Sequence, residues 1–180
     1  MQYTDVTDEG IGHLSGLGKL TSLDLSGADV GDNGLVTITK LIQLEELQLN
    51  FARLTTNGLK LVASLPRLKH LGLSHTAITN PGMDAIGQLA NLESLDLDHT
   101  RVTDAGLAKL AGLTKLTELG LDSVDLTDAG VASLVGIRSL RELDLYHTLV
   151  TDKGFEQLKT ALPDCRIHYE RDSAKRERRS

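Results

Sequence analysis

The chain has 180 residues, 40% of them hydrophobic, a formal net charge of −6 and a single cysteine. That length can bury one continuous core, while Cys165 standing alone excludes an internal disulfide and a cysteine-built zinc cage. No apolar run approaches the ~18 residues of a membrane-spanning helix, and the opening MQYTDVTDEG has neither the basic start nor the apolar stretch of a signal peptide. The compartment stays open, with a slight lean to the cytoplasm.

Taken in order, the chain is one phrase repeated every 24 residues. It reads LTSLDLSGADVGDNGL from Leu20, LEELQLNFARLTTNGL from Leu44, LKHLGLSHTAITNPGM from Leu68 and LESLDLDHTRVTDAGL from Leu92. It returns as LTELGLDSVDLTDAGV from Leu116 and LRELDLYHTLVTDKGF from Leu140. Ahead of these the chain enters mid-repeat, so Val6, Ile11, Leu14 and Leu17 are expected as the core of an incomplete first coil. Solenoid ends usually carry a polar cap, and none is written here. The alternatives are a piece of a longer array, an end covered by another chain, or a loop and short helix serving as the lid.

Within the copy from Leu92, Leu95 and Leu97 alternate with Ser94, Asp96 and Asp98, the period of two of a strand with one face buried. Thr103 is expected to cap a short helix, with Asp104 favoured in its first turn by the helix dipole. Pro81 fits the first helical turn of its copy, where no N–H partner is lost. Gly58, Gly82, Gly106, Gly130 and Gly154 recur in one phase, which predicts close approach of the backbone to the next coil. Leu110 and Leu113 close the coil from outside. In the last copy Ile167 and Tyr169 keep the inward slots of a terminal strand. Residues 170–180 have no apolar periodicity and are expected to be a disordered charged tail.

Leucines spaced LxxLxL at this period resemble the leucine-rich repeat. The phrases Val6–Ile11, Val102–Leu107, Leu126–Val131 and Val150–Phe155 resemble the VTDxGL wording of the bacterial and cysteine-containing classes. Thr76, Thr100 and Thr148 stand where the latter has its cysteine. The resemblance implies an α/β horseshoe solenoid with a parallel inner sheet and short outer helices. It would form one domain over residues 1–169, of about seven coils with the first and last incomplete. It also implies a protein-recognition function.

The outward strand positions line the inner wall. From Ser94 to Tyr146 they carry Asp96, Asp98, Glu118, Asp122, Glu142 and Asp144 without a Lys or Arg. Basic residues such as Lys60, Arg67, Lys109, Lys115 and Arg138 fall outside the strands. Such segregation steers a basic protein partner to the wall and repels nucleic acid phosphates. The simpler alternative is that exposed strand positions are polar for solubility. Tyr146 and Phe51 add aromatics at outward slots, and His75, His99 and His147 share a rim column with Phe51. The expected contact set is therefore Asp96, Asp98, Glu118, Asp122, Glu142, Asp144 and Tyr146, flanked by Phe51, His75, His99 and His147. His75 and His99 with Asp98 lack a fixed tetrahedral ligand set, so no metal is expected; they read as solvated imidazoles or a pH-sensitive contact. Cys165 reads as a structural thiol. With no P-loop, dinucleotide fingerprint, HExxH or GxSxG, neither a cofactor nor catalysis is expected. The second functional reading is a structural spacer, or part of a longer array, that forms a homodimer through its uncapped N-terminal coil.

Overall fold

A computed structural model describes residues 6–171. Seven strands of 3 residues each form one parallel sheet in sequence order. They are β1 Ser22–Asp24, β2 Glu46–Gln48, β3 His70–Gly72, β4 Ser94–Asp96, β5 Glu118–Gly120, β6 Glu142–Asp144 and β7 Arg166–His168. Each pairs with its neighbour one repeat away: Ser22 opposes Glu46, Leu95 opposes Leu119, and Asp144 opposes His168. The helices are α1 Asp8–Gly12, α2 Asp32–Ile38, α3 Thr56–Val62, α4 Asn80–Ile86, α5 Asp104–Leu107, α6 Asp128–Leu134 and α7 Asp152–Ala161. The result is an open α/β horseshoe, with the sheet as its inner wall and the helices outside.

The alternation predicted from sequence sets this arrangement. Leu95 and Leu97 from the strand, Val102 from the turn, Leu107 and Leu110 from the helical segment, and Leu113 and Leu116 from the return are all buried. One coil cannot close such a face alone, so stacked coils share one core. Each buried leucine contributes about 2 kcal/mol through its removal from water. Thr76, Thr100 and Thr148 are also buried, and each hydroxyl donates to the carbonyl of the leucine before the turn, at 2.6, 2.7 and 2.8 Å. That bond satisfies a polar group the core could not otherwise tolerate.

Three expectations change. Leu17 is 50% exposed, whereas its counterparts Leu41, Leu65, Leu89, Leu113 and Ile137 are buried. In those coils a preceding coil covers the position, and no described coil precedes Leu17. The recurrent glycines approach the preceding coil, not the next one, and what they meet is a side chain. A Cβ on Gly58, Gly130 or Gly154 would collide with the carboxylate of Asp32, Asp104 or Asp128 respectively. Thr103 makes no side-chain cap on its own helix; its hydroxyl instead accepts from Asn80 Nδ2 at 2.9 Å.

Asp104 itself turns to the following coil. Its Oδ1 accepts the N–H of Thr127 at 2.8 Å and its Oδ2 the hydroxyl of Thr127 at 2.6 Å. Asp128 holds Thr151 identically, Asp8 holds Gly31 N–H, Asp32 holds Thr55, and Asn80 holds Thr103 N–H. This ladder ties most helix starts to the next; Thr56 stands in the same phase on α3, where no Asp or Asn forms such a bond to Thr79. At the far end Asp152 receives the Tyr169 hydroxyl, and Tyr169 stacks on Phe155 with centroids 4.6 Å apart. Of the expected tail, residues 172–180 lie outside the described residues.

Candidate functional site

The outward side chains of β4, β5 and β6 surround a depression of about 320 Å³. Its floor is Gly120, flanked along its row by Asp96 and Asp144 on the neighbouring strands. Asp98 lines one side, Glu118 and Glu142 the other, and His168 closes the far end. Gly120 creates the space because it carries no side chain between two carboxylate rows. Gly72 occupies the same row two strands earlier, but the Gln48 side chain fills its place.

The carboxylates are not equivalent. Glu118 and Glu142 are exposed. Asp96 Oδ1 accepts the Asp98 N–H and Asp144 Oδ1 the Tyr146 N–H, each at 2.9 Å. Asp98 Oδ1 accepts the Asp122 N–H at 2.8 Å. These bonds hold three acids in place while leaving them crowded. Burial pushes Asp98 up to about 7, the Asp96 charge adds to it, and the Asp122 N–H opposes. Burial also raises Asp96. The crowding arises because Asp96 stands two residues earlier along the chain, while Asp122 fills the same slot one strand on, about 5 Å away in a parallel sheet.

The rim column has a backbone cause. Gly27, Phe51, His75, His99, Ser123 and His147 all have positive φ, between 53° and 70°. Here the chain leaves the sheet: His99 N–H makes its last ladder bond to Asp122, and Thr100 N–H then turns back to Leu97. For residues other than glycine this left-handed conformation costs about 1 kcal/mol or more. It also points successive side chains the same way. His75 lies between Phe51 and His99, with centroids 4.4 and 4.1 Å away and the rings within 8° and 15° of parallel. His147 Nδ1 donates to Asp122 Oδ1 at 2.8 Å, and His99 Nε2 lies 3.9 Å from Asp122 Oδ2. Tyr146 is 39% exposed and sits against His147 and His168, its centroid 6.3 and 6.1 Å from theirs.

The expected contact residues thus fall into two groups. Asp96, Asp98, Glu118, Glu142 and Asp144 surround the depression. Phe51, His75, His99, Asp122, Tyr146 and His147 form the rim beside it. His168, absent from the expected set, joins both, through Glu142 Oε1 at 3.2 Å and against the Tyr146 ring. Its outward register was legible in the sequence; its contact was not. Among the described residues no group of three or more His, Cys, Asp or Glu side chains could hold a metal ion. None of the described helices is long and apolar enough to cross a membrane. Cys165 packs against the core, and burial raises its thiol.

Two family models match the chain, one described as leucine rich repeat over residues 42–102 and another of the same description over 19–38. No curated protein matches. Among solved structures, internalin C2 of Listeria monocytogenes is similar with a TM-score of 0.71 and 26% identity, covering 92% of this chain and 67% of that one. A leucine-rich-repeat protein of Leptospira interrogans has a TM-score of 0.67 and 26% identity, covering 87% of this chain and 38% of its own. This chain therefore spans well under half of that relative. A second Listeria monocytogenes internalin, at 20% identity and a TM-score of 0.63, shares the fold, over 89% of this chain and 50% of its own. Residues 19–38 and 42–102 thus match leucine-rich-repeat models, and the sheet, the stacked leucines and the similar structures together show the leucine-rich-repeat horseshoe fold.

Proposed function

We propose that the inner wall from β4 to β6 is a non-catalytic docking surface for a basic segment of a protein partner. Leucine-rich-repeat proteins generally mediate protein–protein interaction, which supplies the class of function. The observation that carries the finer reading is the depression over Gly120, walled by carboxylates with no Lys or Arg at the outward slots of these strands. Off the wall, Lys69 pairs with Glu45 and Lys109 with Asp84, at 2.7 and 2.8 Å. An extended Lys- or Arg-bearing segment would place one cation in the depression and lie against Tyr146 and the Phe51–His75–His99 stack. The same carboxylates disfavour nucleic acid and anionic membrane surfaces. The Thr-Asp-x-Gly wording, which builds the aspartate ladder, supports a repeat of the bacterial type.

Glu118→Lys with Glu142→Lys tests this, because both side chains are exposed and hold no backbone group. Binding of a lysine-rich peptide should weaken by about tenfold or more, and its salt dependence should flatten. Unchanged binding with intact circular dichroism sinks the surface.

Exposed Leu17 favours a second reading, a spacer or array segment that self-associates through its first coil. Near the other end of the described chain Tyr169 stacks on Phe155. Light scattering over a dilution series decides it: a mass that never rises above the monomer removes this reading.

A further inference from the structure

Five of the six histidines in the chain lie on the inner wall or its rim: His70, His75, His99, His147 and His168. Only His13 lies elsewhere, at the start of the 3-10 helix His13–Gly16 that follows α1. Imidazole is the side chain whose ordinary range of charge gain lies nearest physiological pH, and this face gathers five of them.

The histidines are placed against the acids a basic partner would need. Asp122 receives His147 Nδ1 at 2.8 Å and has His99 Nε2 at 3.9 Å. Glu142 Oε1 faces His168 Nε2 at 3.2 Å. His147 Nε2 also lies 3.8 Å from Glu170. With neutral imidazoles these carboxylates keep their charge for an incoming cation. With imidazolium beside them, each is already paired, and the partner must displace a tethered competitor.

The remaining charges do not reverse this. On β1 and β2 the wall carries Asp24 and Glu46, on β3 His70. On β4 it carries Asp96 and Asp98, on β5 Glu118, on β6 Asp144. The one cation at these slots is Arg166 on β7, and Arg53, Arg101 and Asp125 follow just beyond the rim. Asp98, pushed up to about 7, loses its charge over the same interval and acts in the same direction. The stack at 4.1 Å between His75 and His99 adds mutual repulsion once both rings are charged.

We infer that the wall histidines are built-in counter-ions, so that a basic partner held at neutral pH is released on mild acidification. This rests on the docking reading proposed above.

The test uses the full chain and a rhodamine-labelled decalysine peptide, followed by fluorescence anisotropy at constant ionic strength. The dissociation constant should be about tenfold higher at pH 5.5 than at pH 7.5. In a chain carrying His99→Asn, His147→Asn and His168→Gln the ratio should fall below about threefold; Asn is chosen at the rim because it tolerates positive φ. As a check independent of any variant, saturating peptide should shift imidazole NMR titration midpoints of the wild-type chain to lower pH, since linkage is reciprocal. A wild-type ratio near one, an unchanged ratio in the variant, or unmoved midpoints in the presence of bound peptide would each overturn the inference alone. Absence of peptide binding at pH 7.5 removes the docking reading, and the inference with it.

Discussion

Asp98 and Asp104 belong to one coil, yet their carboxylates meet opposite surroundings. Asp104 faces the helix start of the next coil and accepts both the N–H and the hydroxyl of Thr127. Asp98 accepts one N–H, from Asp122, and is otherwise crowded by Asp96, Asp122 and Asp144. The first recurs nearly every coil, as Asp8, Asp32, Asn80, Asp128 and Asp152 in the same phase. The second has no such constancy: its column reads Ser26, Asn50, Ser74, Asp98, Asp122 and Tyr146. A residue that every coil needs for stacking repeats with the coil. A residue that varies in a fixed geometry is free to serve something outside the fold.

That contrast breaks most visibly at the ladder. Asp104→Ala leaves the N–H and hydroxyl of Thr127 without their acceptor and should cost about 2–3 kcal/mol in urea denaturation. Asp104→Asn should cost under about 1 kcal/mol, because Asn80 already performs the same task for Thr103. Equal effects of the two substitutions would mean that charge, and not hydrogen bonding, carries the ladder. A smaller loss, about 2 kcal/mol, is expected for Gly130→Ala, where the new methyl group meets the Asp104 carboxylate and the Leu126 side chain. A neutral or stabilising result in a thermal melt would show that the rung can move aside.

The fold was legible because its cause is periodic. Leu95 and Leu97 set a strand and its buried face, and one copy licensed the rest. The ladder was half legible: the recurring Thr-Asp was plain, but a lone helix start looks like an ordinary cap until the next coil lies 24 residues on and within reach. Gly130 was read with the wrong neighbour for the same reason, since sequence alone does not say which side of a coil its small residue faces. The His75–His99 column was visible as a column. Its stacking was not, because it depends on the left-handed backbone at both residues, a conformation that histidine does not announce.

The smallest effect is the sharpest probe of the wall. Asp98 stands at about 7 in the fold, against about 4 for a carboxyl in an unfolded chain. The folded chain therefore holds an extra proton between these values. The stability this contributes is complete below about pH 4 and is lost as pH rises through 7. Asp98→Asn removes the charge and keeps an oxygen for the Asp122 N–H, as Asn50 does for Ser74 at 2.8 Å in the same column. The substitution should leave stability unchanged at pH 4 and raise it by about 1 kcal/mol at pH 8, a figure discounted for the solvent that reaches this side chain. It should also weaken a lysine-rich peptide at pH 8, through the lost charge. Stability and binding moving in opposite directions at one residue would mean that the wall holds Asp98 charged at a cost to the fold. A loss of stability at pH 8 would instead place Asp98 with Asp104, as one more structural carboxylate.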